Sequence, residues 1–172
     1  MNKIIALLGL LLALGLINWS IYVKEQHLIH GDIIKLKLAP VDPRSLMQGD
    51  YMALRFELSQ AIYEALPKLE SQTFWDSGLA NLDGWVIVEI DTQGIARFVA
   101  LDSGQALGDK QRKLQYRVRN GQVKFATNAF FFAEGSADIY DAAQYGKFRV
   151  NQQGEVLLTG MLDKALFPLG EQ

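Results

Sequence analysis

Apolar residues crowd the start of the chain. Ile4 to Val23 is a run of twenty residues, sixteen of them apolar and none charged, closed off by Lys3 on one side and Lys24-Glu25 on the other. As a helix rising about 1.5 Å per residue, it matches a hydrocarbon core roughly 30 Å thick. Trp19 and Tyr22 lie near its end, where amphipathic rings favour the headgroup layer. The run shows no polar face, unlike a helix lying on a soluble core. A cleaved signal peptide would have a shorter apolar stretch followed by a small-x-small site. Ala13-Leu14-Gly15 is the one candidate for such a site, and the run continues well past it. The pattern therefore predicts an uncleaved anchor over residues 1–24, embedded in membrane lipid through residues 4–23.

Residues 25–31 read as a short stalk and 32–168 as one domain with the periodicities of short strands. Ile34, Leu36 and Leu38 alternate with lysines, as in a half-buried strand. Pro40 and Pro43 impose a bend. Met52, Leu54, Phe56 and Leu58 alternate with Tyr51, Ala53, Arg55 and Glu57, predicting a second strand. Ser59 is placed to cap a short helix over 60–66, ended by Pro67. Three hairpins follow: 85–90 with 95–101 around Asp91-Thr92-Gln93-Gly94, 114–119 with 122–125 around Asn120-Gly121, and 147–150 with 155–158 around Asn151-Gln152-Gln153-Gly154. A short helix is expected over 136–145, capped by Ser136 and closed by Gly146 in the left-handed conformation. Residues 76–84 and 102–110 read as loops, and no internal repeat is visible. The fold class is mostly β with minor α: an antiparallel sandwich or partly open barrel with one or two short helices, preceded by one transmembrane helix. Pattern alone does not choose between sandwich and barrel.

Composition narrows the function classes. The 172 residues are 49% hydrophobic and 21% charged, with no cysteine, which excludes a disordered chain and a disulfide scaffold. Only one of the seventeen Lys and Arg precedes residue 24, so the remainder is slightly acidic. That balance, with no basic patch, excludes nucleic acid as a partner. No phosphate loop, nucleotide fingerprint or metalloprotease motif is present, and no cofactor is expected. For orientation, Lys3 and the amino terminus face Lys24, Lys35 and Lys37 on the other flank. The charge rule thus leans slightly inward for the domain, but a three-residue tail before a long C-terminal part is typical of an exported domain.

The most distinctive stretch runs Val41-Asp42-Pro43-Arg44-Ser45-Leu46-Met47-Gln48-Gly49-Asp50-Tyr51-Met52-Ala53-Leu54-Arg55-Phe56. Gly49-Asp50-Tyr51-x-x-Leu54-x-Phe56 resembles the signature of the bacterial GDYxxLxY proteins. Phe131-Phe132-Ala133-Glu134-Gly135 resembles a later segment of the same family. The likeness covers roughly residues 34–162 and departs from the signature at Phe56, where the family string has Tyr. It implies a protein of the bacterial inner membrane with a single span and a periplasmic domain. It also implies a neighbouring multi-pass membrane protein as partner, and it implies no activity. The candidate binding residues are Arg44, Gly49, Asp50, Tyr51, Leu54, Phe56, Glu134 and Gly135. On structural grounds alone, Gly49 and Asp50 suit a turn that sets strand register, with Arg44 in reach of Asp50 or Asp42. The sharper reading is a recognition surface built from Arg44, Asp50 and Tyr51.

Other constellations are weaker. His27 and His30 share a helix face, but structural zinc takes four ligands and no third histidine or cysteine exists; no metal is expected. Asp138 and Asp141 have ordinary exposed-helix spacing. Aligning Gly49-Asp50 with the string of type I signal peptidases puts Val41 where their serine nucleophile stands, so that reading is disfavoured. Phe130, Phe131 and Phe132 cannot all face one side of a strand; one ring should point outward, free to meet lipid or a membrane partner. The leading expectation is a membrane-anchored domain that works by binding, and no catalytic residue is assigned. The alternative is an envelope hydrolase using Asp50, Glu134 and another carboxylate in a cleft.

Overall fold

The computed structural model describes residues 2–39, 51–67, 81–127 and 129–170. The chain divides at Gly31/Asp32 into two compact units. The first is helix α1, Asn2–His30, whose Leu, Ile, Trp19 and Tyr22 side chains are exposed all round. It is long and apolar enough to cross a membrane. Within its apolar run, Asn18 Nδ2 donates to the Leu14 carbonyl at 2.8 Å, a local bond back to the preceding turn. The rings of Trp19 and Tyr22 lie 6.2 Å apart, one turn from each other. Residues 25–30 are helical and continue α1.

The second unit is mostly β, built from two half-barrel sheets and a two-stranded ribbon. Its elements are β1 (Asp32–Lys37), β2 (Tyr51–Ala53), α2 (Glu57–Ala65), β3 (Leu82–Ile90), β4 (Ala96–Leu101), β5 (Gln111–Arg119), β6 (Gln122–Lys124), β7 (Ala129–Phe131), α3 (Ala137–Tyr140), β8 (Tyr145–Val150), β9 (Val156–Leu162) and β10 (Pro168–Leu169). One sheet has the order β1-β8-β9-β10 and the other β4-β3-β5-β6, while β2 pairs with β7. Pairing between these strands is antiparallel throughout. The alternation read from the sequence sets the inner face of β1, where Ile34 and Leu36 are buried, and Leu114, Tyr116 and Val118 of β5 are buried in the same alternating way. Helix α2 packs against β4 and β6, the two edge strands of the second sheet, and against β1 of the first. Its Leu58 and Ile62, with Leu66 after it, join one continuous core drawn from both sheets.

All three expected hairpins form, and Asn120 and Gly121 take the positive φ their two-residue turn requires (51° and 69°). Three boundaries differ from expectation. The second strand stops at Ala53, with Phe56 making only an isolated bridge to Leu38, and α2 begins at Glu57. The helical spacing of Leu58, Ile62 and Leu66 overrides the alternation at Leu58, and the N-cap is Phe56, without a side-chain cap bond, rather than Ser59. The helix expected over 136–145 is only the single turn of α3, and Ser136 makes no side-chain cap bond. Gly146 is not its terminator: it lies in β8, opposite Leu36. There a Cβ would come within 2.9 Å of Phe148 and 3.1 Å of Phe56, so the glycine makes room for two core rings. Finally, β3 starts at Leu82, inside an expected loop, because Leu82 pairs with Val118. The bend at Pro40 and Pro43 and the loop over 76–80 lie outside the described residues.

A repeat that the sequence hides emerges in the pairing. Hairpins β3–β4 and β8–β9 share one design sixty positions apart. In the first, Val88 faces Phe98, a bulge follows, and Ile87 faces Ala100. In the second, Phe148 faces Leu158, a bulge follows, and Lys147 faces Gly160. The turns match atom for atom. Asp91 Oδ1 accepts the N–H groups of Gln93 and Ile95, and Asn151 Oδ1 those of Gln153 and Glu155. Gly94 and Gly154 sit at φ 81° and 83°. Each turn docks on the other sheet. The Gly94 carbonyl accepts from Lys35 N of β1 at 2.9 Å, and the Gly154 carbonyl from Gln115 N of β5 at 2.7 Å. Beside these, the Gln93 carbonyl accepts from Lys35 Nζ and the Gln153 carbonyl from Trp85 Nε1. The two half-barrels are thus locked by exchanged hairpin tips.

Candidate functional site

The described part of the motif starts β2. Tyr51, Met52 and Ala53 pair with Phe131, Phe130 and Ala129 of β7, so the two segments singled out from the sequence form one ribbon. Met52 turns inward and is buried. On the opposite face the Tyr51 and Phe131 rings lie 5.6 Å apart, and Phe131 is 73% exposed. Phe130 and Phe132 turn the other way and hold the Tyr140 ring between them, each at 5.1 Å. One ring of the three does therefore point outward. Glu134 and Gly135 are the central residues of an exposed turn closed by Ser136 N donating to the Ala133 carbonyl at 3.0 Å. Gly135, at φ 78° with open space around it, is there for its backbone conformation. Arg44, Gly49 and Asp50 lie outside the described residues.

Past the ribbon, the motif turns into a groove. Leu54, Arg55 and Phe56 form one wall, anchored by Ala39 N donating to the Arg55 carbonyl at 2.9 Å. Phe56 is buried edge-on between Phe148 and Phe125, at 5.4 and 6.2 Å. Ser59, Gln60 and Tyr63 of α2 form the second wall, and Gln122, Val123 and Lys124 of β6 the third. The half-open groove has a volume of about 620 Å³, within the size range of small-molecule sites. No Asp or Glu is among its described lining residues. A second hollow of about 370 Å³ beside β1 contrasts with it: Asp32, Asp91 and Asp109 offset Lys110 and Arg112 there, and Arg112 Nε bonds Asp32 Oδ2 at 2.7 Å.

Titration of the fold is governed by turns and cross-strand pairs. The N–H groups of Ile95 and Gln93 and the Arg97 guanidinium hold the Asp91 carboxyl below its ordinary value. Lys113, 2.5 Å away, does the same to Asp102, helped by the Gly104 N–H. Glu57 holds the Lys37 ammonium above its usual range. Among the described residues no group of three or more His, Cys, Asp or Glu is placed to hold a metal, and Asp138 and Asp141 are exposed.

A model of the GDYXXLXY protein family matches residues 13–161, from within α1 to near the end of β9. The chain belongs to the GDYXXLXY family. No curated protein and no solved structure matches it. In this GDYXXLXY protein the signature residues divide their labour. Tyr51 joins an outward aromatic pair, Leu54 lines the groove, and Phe56 is a core ring at its base. The groove residues Arg55, Tyr63 and Lys124 were not singled out from the sequence. They come from three separate elements, and only Arg55, at one of the signature's unspecified positions, carried any hint.

Proposed function

We propose that this chain is a single-pass inner-membrane protein of a bacterium whose β module stands on the periplasmic side. It works by docking a membrane or envelope partner, a multi-pass membrane protein in the first instance, through the Tyr51–Phe131 face. The observation that carries the docking is the exposed Phe131 ring, set against Tyr51 by the pairing of the motif strand with β7. An exposed aromatic ring backed by a second ring is the kind of anchor that dominates interface energetics. The membrane assignment is supported by the charge-free apolar run of α1 and by a family match that begins inside it. No described carboxylate lines the groove, and Glu134 stands on an exposed turn, so no observation favours the acidic hydrolase.

Two measurements test the reading. The chain has no cysteine, so a single Gln152→Cys in the exposed β8–β9 turn reports topology. A membrane-impermeant maleimide should label it in cells whose outer membrane alone is opened; labelling only after full lysis removes the periplasmic assignment. A photoreactive residue in place of Phe131 should yield one adduct with an integral membrane protein, and Phe131→Ser should lose that partner without losing the fold. If only random adducts form, docking through this face is wrong.

A further inference from the structure

We infer that the groove between the motif, α2 and β6 is a binding site for an amphipathic anion, a molecule with one acidic group on an apolar chain. The inference concerns a different surface from the Tyr51–Phe131 face and stands without it. Leu54 and Val123, both half-buried, and the Tyr63 ring supply apolar walls. Arg55 and Lys124 supply two cations from facing elements. Among the described residues, ion pairs spread over the module include Lys37–Glu57, Arg97–Asp91, Arg112–Asp32, Lys113–Asp102 and Arg119–Asp83. Neither groove cation belongs to any of them, and neither meets a carboxylate among the described residues. Lys124 also faces Arg117 directly across the β5–β6 pair. Like charges in that position oppose folding, and a bound anion would relieve them. An acid group would gain charge-assisted bonds from the cations while its apolar part covers Leu54 and Val123. The shared chemistry fits a free medium-chain acid and an anionic lipid alike.

The test uses the full chain in phosphatidylcholine nanodiscs. A cysteine at Gln60, on the groove wall, carries an environment-sensitive fluorophore, and a second version carries it at Gln122 on the opposite wall. The probes are octanoate, octanol with the same chain and no charge, and acetate with the charge and no chain. Octanoate should give a saturable response at both positions, with octanol and acetate weaker by about tenfold or more. Arg55→Gln with Lys124→Gln should weaken octanoate by about tenfold or more while the circular dichroism spectrum is unchanged. In discs doped with phosphatidylglycerol, a response without octanoate identifies a lipid source, and a response to octanoate alone a free acid. Octanol equal to octanoate, indifference to the double substitution, or no saturable response at either position overturns the site.

Discussion

Three turns of the module share one wiring with different residues, which makes them an internal experiment in backbone strain. Asp163 repeats the pattern of Asp91 and Asn151, its Oδ1 accepting the N–H groups of Ala165 and Phe167, but the left-handed position is Leu166, at φ 66°. A side chain held there costs about 1–2 kcal/mol. Leu166 is half-buried, and half the burial of a leucine returns about 1 kcal/mol. Leu166→Gly should therefore leave stability unchanged or raise it by up to about 1 kcal/mol; a loss beyond about 1.5 in urea unfolding would show the strain account to be wrong. The glycines should separate too. A Cβ on Gly94 meets nothing closer than 3.8 Å, whereas one on Gly154 falls 2.7 Å from the Lys113 carbonyl. Gly94→Ala should cost about 1 kcal/mol and Gly154→Ala about 2–3. Asp91→Asn should keep the turn, since Asn151 does the same work, but remove one source of acid sensitivity. The carboxyls of Asp91 and Asp102 are held low in the folded state. Their stabilisation is complete above the unfolded value near 4 and is lost as pH falls through the folded values. Stability measured from pH 6 to 2 should fall below about pH 4, and less steeply in Asp91→Asn and Asp102→Asn; equal slopes would refute it.

At the scale of elements, the sequence was most legible where one periodicity acted alone. The alternation of β1 and the Asn120-Gly121 turn were readable because burial on one face and positive φ each leave a local mark. Around Phe56 two periods overlap: residues 52, 54, 56 and 58 alternate, while 58, 62 and 66 repeat at helical spacing, and tertiary contact with β4, β6 and β1 decided for the helix. Ile62, fully buried, should cost about 2–4 kcal/mol when cut to alanine. Ser59→Ala should cost less than about 0.5, because Ser59 is not the cap; a loss near 1 kcal/mol would restore it to that role. Gly146 misled for a similar reason. A glycine after a short polar helix looks like a terminator, and only the positions of the Phe56 and Phe148 rings reveal a packing role. Gly146→Asn distinguishes the two: a left-handed terminator tolerates asparagine, whereas a strand glycine beneath two rings does not.

For the whole molecule, what escaped the sequence is what depends on distant segments meeting. The turns of β3–β4 and β8–β9 share only Gln and Gly at their third and fourth positions, so their common design shows only in hydrogen bonds and bulges. The groove likewise assembles from residues far apart in the chain, and its cations look like ordinary surface charges until the fold brings them together. The same long-range wiring governs how the module should unfold. Each sheet receives a hairpin tip from the other, and one core cluster includes Ile34, Leu36, Phe148 and Met161 of the first sheet with Val86, Val88, Leu114 and Val118 of the second. Neither half-barrel keeps its inner face covered if the other opens, so the loss of one exposes the other's apolar surface to water. The module should unfold in a single transition. Trp85 is a suitable reporter, because it sits on β3 and donates to Gln153 at the tip of β8–β9. With Trp19 and Trp75 replaced by phenylalanine, its fluorescence and the far-ultraviolet circular dichroism of the strands should follow one curve in urea. If the fluorescence changes at a distinctly lower concentration than the strand signal, the exchanged tips are ornaments on two independent sheets and the interlocked architecture is refuted.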